Sequence, residues 1–314
     1  MKKYLIKFSI YVSILAVIIL VLNALYIYKS ENDIGAFVND VPDDIQICNF
    51  GSSHGLYGFN YEDVKNYTCF NFALSAQRLT YDYRILQNYK DKIKKGATAF
   101  IVLSTFSLFG VPDTEREDFE AQNTRYYKFL PSNFIAKYEM KTYFFVNYLP
   151  IIGYGDFGNL INVFFRTHVD TWALETNAED AVTHAEDRYQ AHIVRIAKGK
   201  SENGSLICNQ EYFDSLYGMI NLLKEIGATP ILITTPYTRE YTDTIKKHDP
   251  KFFDEFYANI NDIVKKTGIK YYDYSRDERY INDYSLFRDS DHMNRKGARI
   301  FTNNLLKEVL NIFP

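Results

Sequence analysis

Short apolar runs alternate with longer stretches of helical spacing along most of this chain, and that alternation predicts a parallel sheet covered by helices. Ile45 to Phe50, bounded by Asp44 and Gly51, fits a central strand, and Phe70 to Leu74 fits a second short one. Gln77 to Lys95 then carries Leu79, Tyr83, Leu86, Tyr89 and Ile93 at helical spacing, with Gly96 as its C-terminal breaker. Ala99 to Leu103 is a third strand. The pattern returns as a helix over Glu211 to Ile226 closed by Gly227, a strand over Pro230 to Thr234, a helix over Pro250 to Lys266 closed by Gly268, a strand over Ile269 to Tyr274 and a helix over Gly297 to Ile312. Crossovers of this kind are right-handed, so the expected fold class is α/β, a three-layer α/β/α arrangement with a parallel, flavodoxin-like sheet.

Two stretches depart from the alternation. Phe8 to Tyr28 is uncharged and mostly apolar, about the length a helix needs to cross a bilayer core. Lys2, Lys3 and Lys7 precede it and Glu31 and Asp33 follow, which predicts a single-pass anchor with a cytoplasmic N-terminus and the remainder outside. A cleaved signal peptide is the rival, but Asn23 to Tyr28 offers no pair of small residues for cleavage. The second stretch lies between the third strand and the helix at Glu211, too long for a plain connection. It is rich in Tyr, Phe, Ile and Leu over Phe134 to Phe165, yet Lys137, Glu139, Lys141 and Asp156 exclude a second comfortable span. The expected organisation is therefore an anchor over 1–29, a linker over 30–44, an α/β domain from 45–110 and 206–314, and an inserted helical cap over 111–205 whose polar outer helix is Thr176 to Lys198. Loops at the carboxyl ends of parallel strands form the binding crevice, so this cap should help cover it.

Composition narrows the partners. Removing residues 1–29 takes four lysines and no acids from a chain with 36 basic and 39 acidic residues, leaving a formal −7 that gives no reason to bind nucleic acid. The 27 Tyr and 24 Phe could line a groove or lie near lipid, although most such rings are core. Cys48, Cys69 and Cys208 are too few for a disulfide framework; Cys48 and Cys69 read as buried thiols, or as a bridge if their strands are neighbours. No metal-ligand spacing is present, since His184 and His192 share a polar helix and read as solvated, and no cofactor is implied.

Chemistry enters at two segments, Gly51-Ser52-Ser53-His54 after the first strand and Asp289-Ser290-Asp291-His292 before the last helix. A serine hydroxyl is a poor nucleophile until a base takes its proton and a third group holds that base in one tautomer. Ser53 as nucleophile, His292 as base and Asp289 as orienting acid would meet at the carboxyl edge of the sheet. Each segment alone also fits a polar turn or a helix start. His54 is adjacent to the nucleophile and reads as support or as substrate contact. Tyr237, after the fourth strand, could also touch substrate, although a plain strand-ending turn fits it equally.

These segments resemble the SGNH, or GDSL-like, hydrolase superfamily: Gly51-Ser52-Ser53 is similar to its Gly-Asp-Ser block, and Asp289-Ser290-Asp291-His292 with Gly297 to its final Asp-x-x-His block. Asn71 to Ala76 resembles the second block with Ala76 where glycine is usual, and Ser104-Thr105-Phe106-Ser107 stands where a third block with asparagine is expected. The resemblance implies oxyanion donors from the backbone N–H of Ser53 and Ala76, with Ser104, Thr105 and Ser107 as candidates for the missing asparagine. A Gly-Ser-Ser block, no third-block asparagine and one N-terminal anchor are together similar to teichoic-acid D-alanyl transfer proteins and related envelope acyltransferases. What that implies is a membrane-anchored extracytoplasmic serine acyltransferase or esterase acting on O-acetyl or D-alanyl groups of a cell-surface polysaccharide or teichoic acid, with a polytopic membrane protein as acyl donor if it transfers. The alternative is a catalytically degenerate relative that binds glycan or scaffolds an envelope-modification complex.

Overall fold

The computed structural model describes residues 1–30, 37, 41–151, 170–199, 201 and 205–312. They divide into two compact units, one of residues 1–41 and 120–169 and the other of residues 42–119 and 170–314.

The larger unit is built on five parallel strands, β1 (Ile45–Phe50), β2 (Cys69–Asn71), β3 (Ile93–Val102), β4 (Thr229–Thr234) and β5 (Lys270–Asp273), in the order β2-β1-β3-β4-β5. That is the expected flavodoxin-like order, and it puts the ends of β1 and β3 at the centre of the sheet. Ile47, Phe100, Val102, Ile231 and Ile233 share one face with Phe301, Leu305 and Leu306 of the last helix, α10 (Arg295–Leu310). Complete burial of side chains of this size contributes about 1.5–3 kcal/mol each. The alternate positions Cys48, Ile101 and Leu232 are buried too, so both faces of the sheet are covered. Among the helices, α3 (Leu79–Tyr89) packs on α7 (Gln210–Glu225).

Several boundaries differ from the sequence reading. The helix expected up to Lys95 stops at Tyr89, and the next strand begins at Ile93 rather than Ala99. Gly96 is therefore inside β3, where its N–H bonds Gly227 O at 2.8 Å. A register shift opposite Ile45 and Ile47 takes up the extra residues, so the glycine serves an irregular strand start instead of a helix end. The second strand is shorter and earlier than expected. Two helices were not anticipated, α2 (Ser53–Gly58) and α8 (Arg239–His248). Cys69 pairs in register with Ile47, so the Cys48 side chain leaves the other face of the sheet and both thiols are free. Burial pushes the Cys69 thiol up to about 12.

The stretch expected as one insertion is divided between the units. Residues 170–205 cluster with the sheet, including α6 (Ala178–Arg188), which runs on as a π-helix from Tyr189 to Lys198. The smaller unit contains α1 (Lys2–Ser30), exposed and apolar over Lys2–Tyr26 with a mean hydropathy of 2.7, long and apolar enough to cross a membrane. It also contains the helix Met140–Tyr148, after which Ile151 N donates to Asn23 Oδ1 at 3.0 Å. The expected aromatic stretch runs on to Phe165, and its part over 152–165, with Asp156, lies outside the described residues.

Candidate active site

The first segment is shaped by the end of β1. Gly51 has φ +139°, and a Cβ there would lie 2.9 Å from Val102 Cβ, so glycine lets the chain turn against the end of β3. Its N–H donates to Asp82 Oδ1 at 2.8 Å, and the same oxygen accepts from Gln77 Nε2 at 2.7 Å. Gln77 Nε2 also donates to Gly51 O at 3.3 Å, which ties the loop before α3 to the loop after β1. Ser53 is the first residue of α2, so its N–H has no acceptor within that helix.

The second segment folds around Asp289. Its Oδ1 accepts from the N–H of His292 at 2.9 Å and of Asp291 at 3.2 Å, while His292 Nδ1 lies 2.9 Å from Oδ1 and 3.0 Å from Oδ2. A carboxylate only accepts, so Nδ1 of His292 is the donor and Nε2 of the neutral ring is left to accept. That Nε2 is 2.7 Å from Ser53 Oγ. Gly297 is required in the first turn of α10, because a Cβ there would fall 2.0 Å from Leu286 O.

Behind this row lies a second carboxylate that sequence reasoning gave no role. Asp291 is fully buried, with His54 Nε2 at 2.9 Å and His192 Nδ1 at 3.5 Å from Oδ2. Its Oδ1 is 3.3 Å from His292 Nδ1 and 3.0 Å from Arg188 Nε, the latter an ion pair not aligned for a hydrogen bond. Burial opposes ionisation of Asp291, but the charges of His292 and the hydrogen bond from His54 outweigh it and hold the carboxyl well below its usual range. Burial likewise opposes protonation of His292, yet Asp291 and Asp289 prevail and raise its pKa above 6.5. For His54 and His192 burial wins and both pKa values are lowered.

His54 was read as support or substrate contact and Tyr237 as substrate contact or part of a strand-ending turn, and both lie behind the cleft, His54 in the supporting place. Both are buried; His54 Nδ1 accepts from Tyr237 Oη at 3.3 Å while Nε2 faces Asp291, so neither reaches the cleft. Ser104 and Thr105 are also fully buried. Ser104 Oγ pairs with Ser52 Oγ at 2.9 Å, Ser104 N donates to Ser107 Oγ at 2.8 Å, and Thr105 Oγ1 is 3.4 Å from Tyr241 Oη. These hydroxyls are used within the fold, and Phe106 is the residue of that segment that lines the cleft. Ala76 does line it, with φ +55°, the left-handed backbone that a glycine would take without strain.

The cleft in front of Ser53 and His292 has a volume of about 220 Å³ and is also lined by Arg78, Arg188 and Arg288. None of the three was singled out from sequence. Nor was His192, read as solvated: the stripe Ala181, Ala185, His192 turns inward, and His192 Nδ1 is 3.1 Å from Tyr241 Oη. The same stripe continues through the buried Tyr189, Ile193 and Ala197, so the sequence marks an inward face there without marking that His192 shares it. Among the described residues, His54, Asp291 and His292 offer ligand atoms within 4.8 Å of one another, close enough for a metal ion. Asp291 Oδ2 is bonded by His54 Nε2 and Oδ1 is paired in charge with Arg188, whose guanidinium beside the three groups disfavours a cation there, so the donor set fits a polar network better than a metal centre.

A hydroxyl, an imidazole and a carboxylate in a row at the carboxyl edge of a parallel sheet can draw a proton off serine and return it. Over residues 183–298 the chain matches the family described as DltD protein, a family of teichoic-acid D-alanylation, in line with the resemblance drawn from the sequence. That stretch includes Arg188, His192, Asp289, Asp291 and His292 and does not reach Ser53, Ala76 or Arg78. No curated protein matches the chain.

Proposed function

We propose that this protein is a membrane-anchored serine acyltransferase or esterase of the cell envelope, acting on O-acyl groups, of O-acetyl or D-alanyl type, of a surface polysaccharide or teichoic acid. The observation that carries the reading is the 2.7 Å approach of Ser53 Oγ to His292 Nε2, with Nδ1 held by Asp289. In this reading Ser53 Oγ attacks the acyl carbonyl carbon while its proton passes to His292 Nε2. The proton then goes to the departing alkoxide as the carbon–oxygen bond breaks, leaving the acyl group on Ser53. An acceptor hydroxyl, from water or from the polymer, gives its proton to the same nitrogen as it attacks, and Ser53 is restored. Asp289 fixes the tautomer throughout, and the backbone N–H groups of Ser53 and Ala76 receive the negative charge on the carbonyl oxygen.

Two amides are fewer than the three donors of the SGNH pattern, and one such donor is worth about 2.7–4 kcal/mol of transition-state stabilisation. With the hydroxyls of Ser104, Thr105 and Ser107 committed elsewhere, that deficit favours the second reading, a non-catalytic glycan-binding or scaffolding component. The intact Asp289, His292 and Ser53 row favours the first. The anchor helix α1 and its lysine-rich start support a cytoplasmic N-terminus with the sheet unit outside. If the reaction is transfer, a polytopic membrane protein would supply the acyl group. A serine-reactive fluorophosphonate decides between the readings: the enzyme labels at Ser53 and Ser53→Ala neither labels nor turns over esters, whereas absence of labelling in the folded full chain overturns the catalytic reading.

A further inference from the structure

Three guanidinium groups face one cleft, and they are not equally occupied. Arg188 is committed to Asp289 and Asp291. Arg288 lies over the Tyr57 ring at 4.6 Å with Nε 3.6 Å from Asp289, and its Nη1 is buried without a hydrogen-bond partner. Arg78 is only 7% exposed and lines the cleft beside Ala76, yet among the described residues its side chain makes neither a hydrogen bond nor an ion pair. The acids nearest to it are taken by others. Asp113 accepts from Thr80 and from Tyr212 Oη, the latter at 2.7 Å, and Asp118 pairs with Arg116 at 2.6 Å.

A buried guanidinium without an anion is costly, because its hydration is lost and nothing replaces it. The Nε of Arg78 is buried without a hydrogen-bond partner, and the Phe106 ring, 5.7 Å from the guanidinium carbon, offers the face of a quadrupole but no acceptor. The one carboxylate lining the cleft, Asp289, is already engaged by His292 and Arg188. An anion with oxygen acceptors, small enough for a cleft of about 220 Å³, would complement this guanidinium.

We infer that Arg78, assisted by Arg288, is the recognition site for an anionic oxyacid group, phosphate or carboxylate, carried by the substrate next to its reacting acyl ester. This rests on the reading of Ser53 as nucleophile, and it adds what that reading leaves open, the charge of the group beside the ester. The guanidinium fork suits two oxygens of one phosphate or carboxylate, so Lys at this position supplies charge without the paired geometry.

The site is tested in two ways with the full chain in detergent or nanodiscs. Methyl phosphate and acetate, titrated separately, are expected to raise Tm of the wild type, and the stronger of the two names the oxyacid. Arg78→Gln should abolish that rise and Arg78→Lys retain part of it. Equal shifts in wild type and Arg78→Gln overturn the inference, as does the lack of a shift with either anion. The second measurement compares kcat/KM for 2-acetoxyethyl phosphate, 3-acetoxypropionate and the neutral 2-methoxyethyl acetate. The preference for the anionic ester over the neutral one should fall about tenfold to a hundredfold in Arg78→Gln, the loss expected for a charge-assisted hydrogen bond. An unchanged preference overturns the anion site while leaving Ser53 chemistry standing. Turnover of none of the esters, with the anion-induced Tm shift intact, sinks the catalytic reading and keeps the anion site. Should Arg78→Gln not fold, Arg78→Lys and Arg288→Gln carry the same comparison.

Discussion

His54 Nε2 lies 2.9 Å from Asp291 Oδ2, so the residue after the candidate nucleophile is bonded to the residue before the candidate base. Both side chains are fully buried, and Tyr237 closes the far side of the His54 ring. The loop after β1 and the loop before α10 are thereby clamped together independently of the Ser53 and His292 contact. The 2.7 Å separation of Ser53 Oγ and His292 Nε2 thus depends on a polar network that the two sequence segments do not announce.

Asp291→Asn should reveal that clamp. Removing the charge leaves Arg188 and the surrounding imidazoles without their shared carboxylate, and loss of one partner from a buried pair costs about 3–5 kcal/mol. A value near 3 is expected, because Arg188 is partly exposed and keeps Asp289. Urea unfolding of the two proteins, compared at constant m, is the measurement.

The pH–rate profile follows from His292. Its Nε2 must be unprotonated to accept from Ser53, and its pKa is raised above 6.5 because Asp291 and Asp289 outweigh burial. Ester turnover should therefore fall as pH drops through a value on the alkaline side of 6.5. In Asp291→Asn the same limb should move to lower pH. An unmoved limb would mean that Asp291 does not act on the base.

Acid should destabilise the sheet unit before its carboxylates titrate. His54 and His192 have lowered pKa values in the fold through burial, so the unfolded chain takes up their protons first and stability falls as pH drops below about 6.5. His292, with a raised value, works in the opposite sense: its contribution is complete below 6.5 and is lost as pH rises through its folded value. With two lowered groups against one raised, Tm should decline between pH 7 and pH 5.5. Asp291, held well below 3.8, adds a further loss below that pH.

Gly297→Ala is expected to disable the site from outside it. A Cβ 2.0 Å from Leu286 O forces the backbone apart where Asn294 N also bonds that oxygen, and overpacking of this kind costs about 1–3 kcal/mol or more. Fluorophosphonate labelling should drop with stability. Ala76→Gly is the contrasting case: the left-handed backbone favours glycine, so stability should hold or rise by up to about 1 kcal/mol while the N–H remains.

Ser53, Asp289 and His292 were legible as a set because one segment follows the first strand and the other precedes the last helix of a single α/β pattern, although each alone also fits a polar turn or a helix start. The central strands were legible because Ile45 to Phe50, Ala99 to Val102 and Pro230 to Ile233 are short, mostly apolar runs between helical stretches. Arg78, Arg188 and His192 were not legible. They reach the cleft from a loop and from a helix whose buried stripe runs through Ala181, Ala185, Tyr189, Ile193 and Ala197, and apolar spacing marks that face without telling which polar neighbours turn to the cleft. Gly96 misled for a related reason: a breaker marks an irregularity but not whether a helix ends or a strand bulges.

The carboxylate of Asp82 gives the site a further property. By taking Gly51 N and Gln77 Nε2 on one oxygen, it sets the loop that carries Ser53 against the loop that carries Ala76. The two amides proposed to receive the carbonyl charge are then oriented during folding and not during turnover. On the proposed catalytic reading, two donors held in advance would leave little chain reorganisation for the moment of reaction.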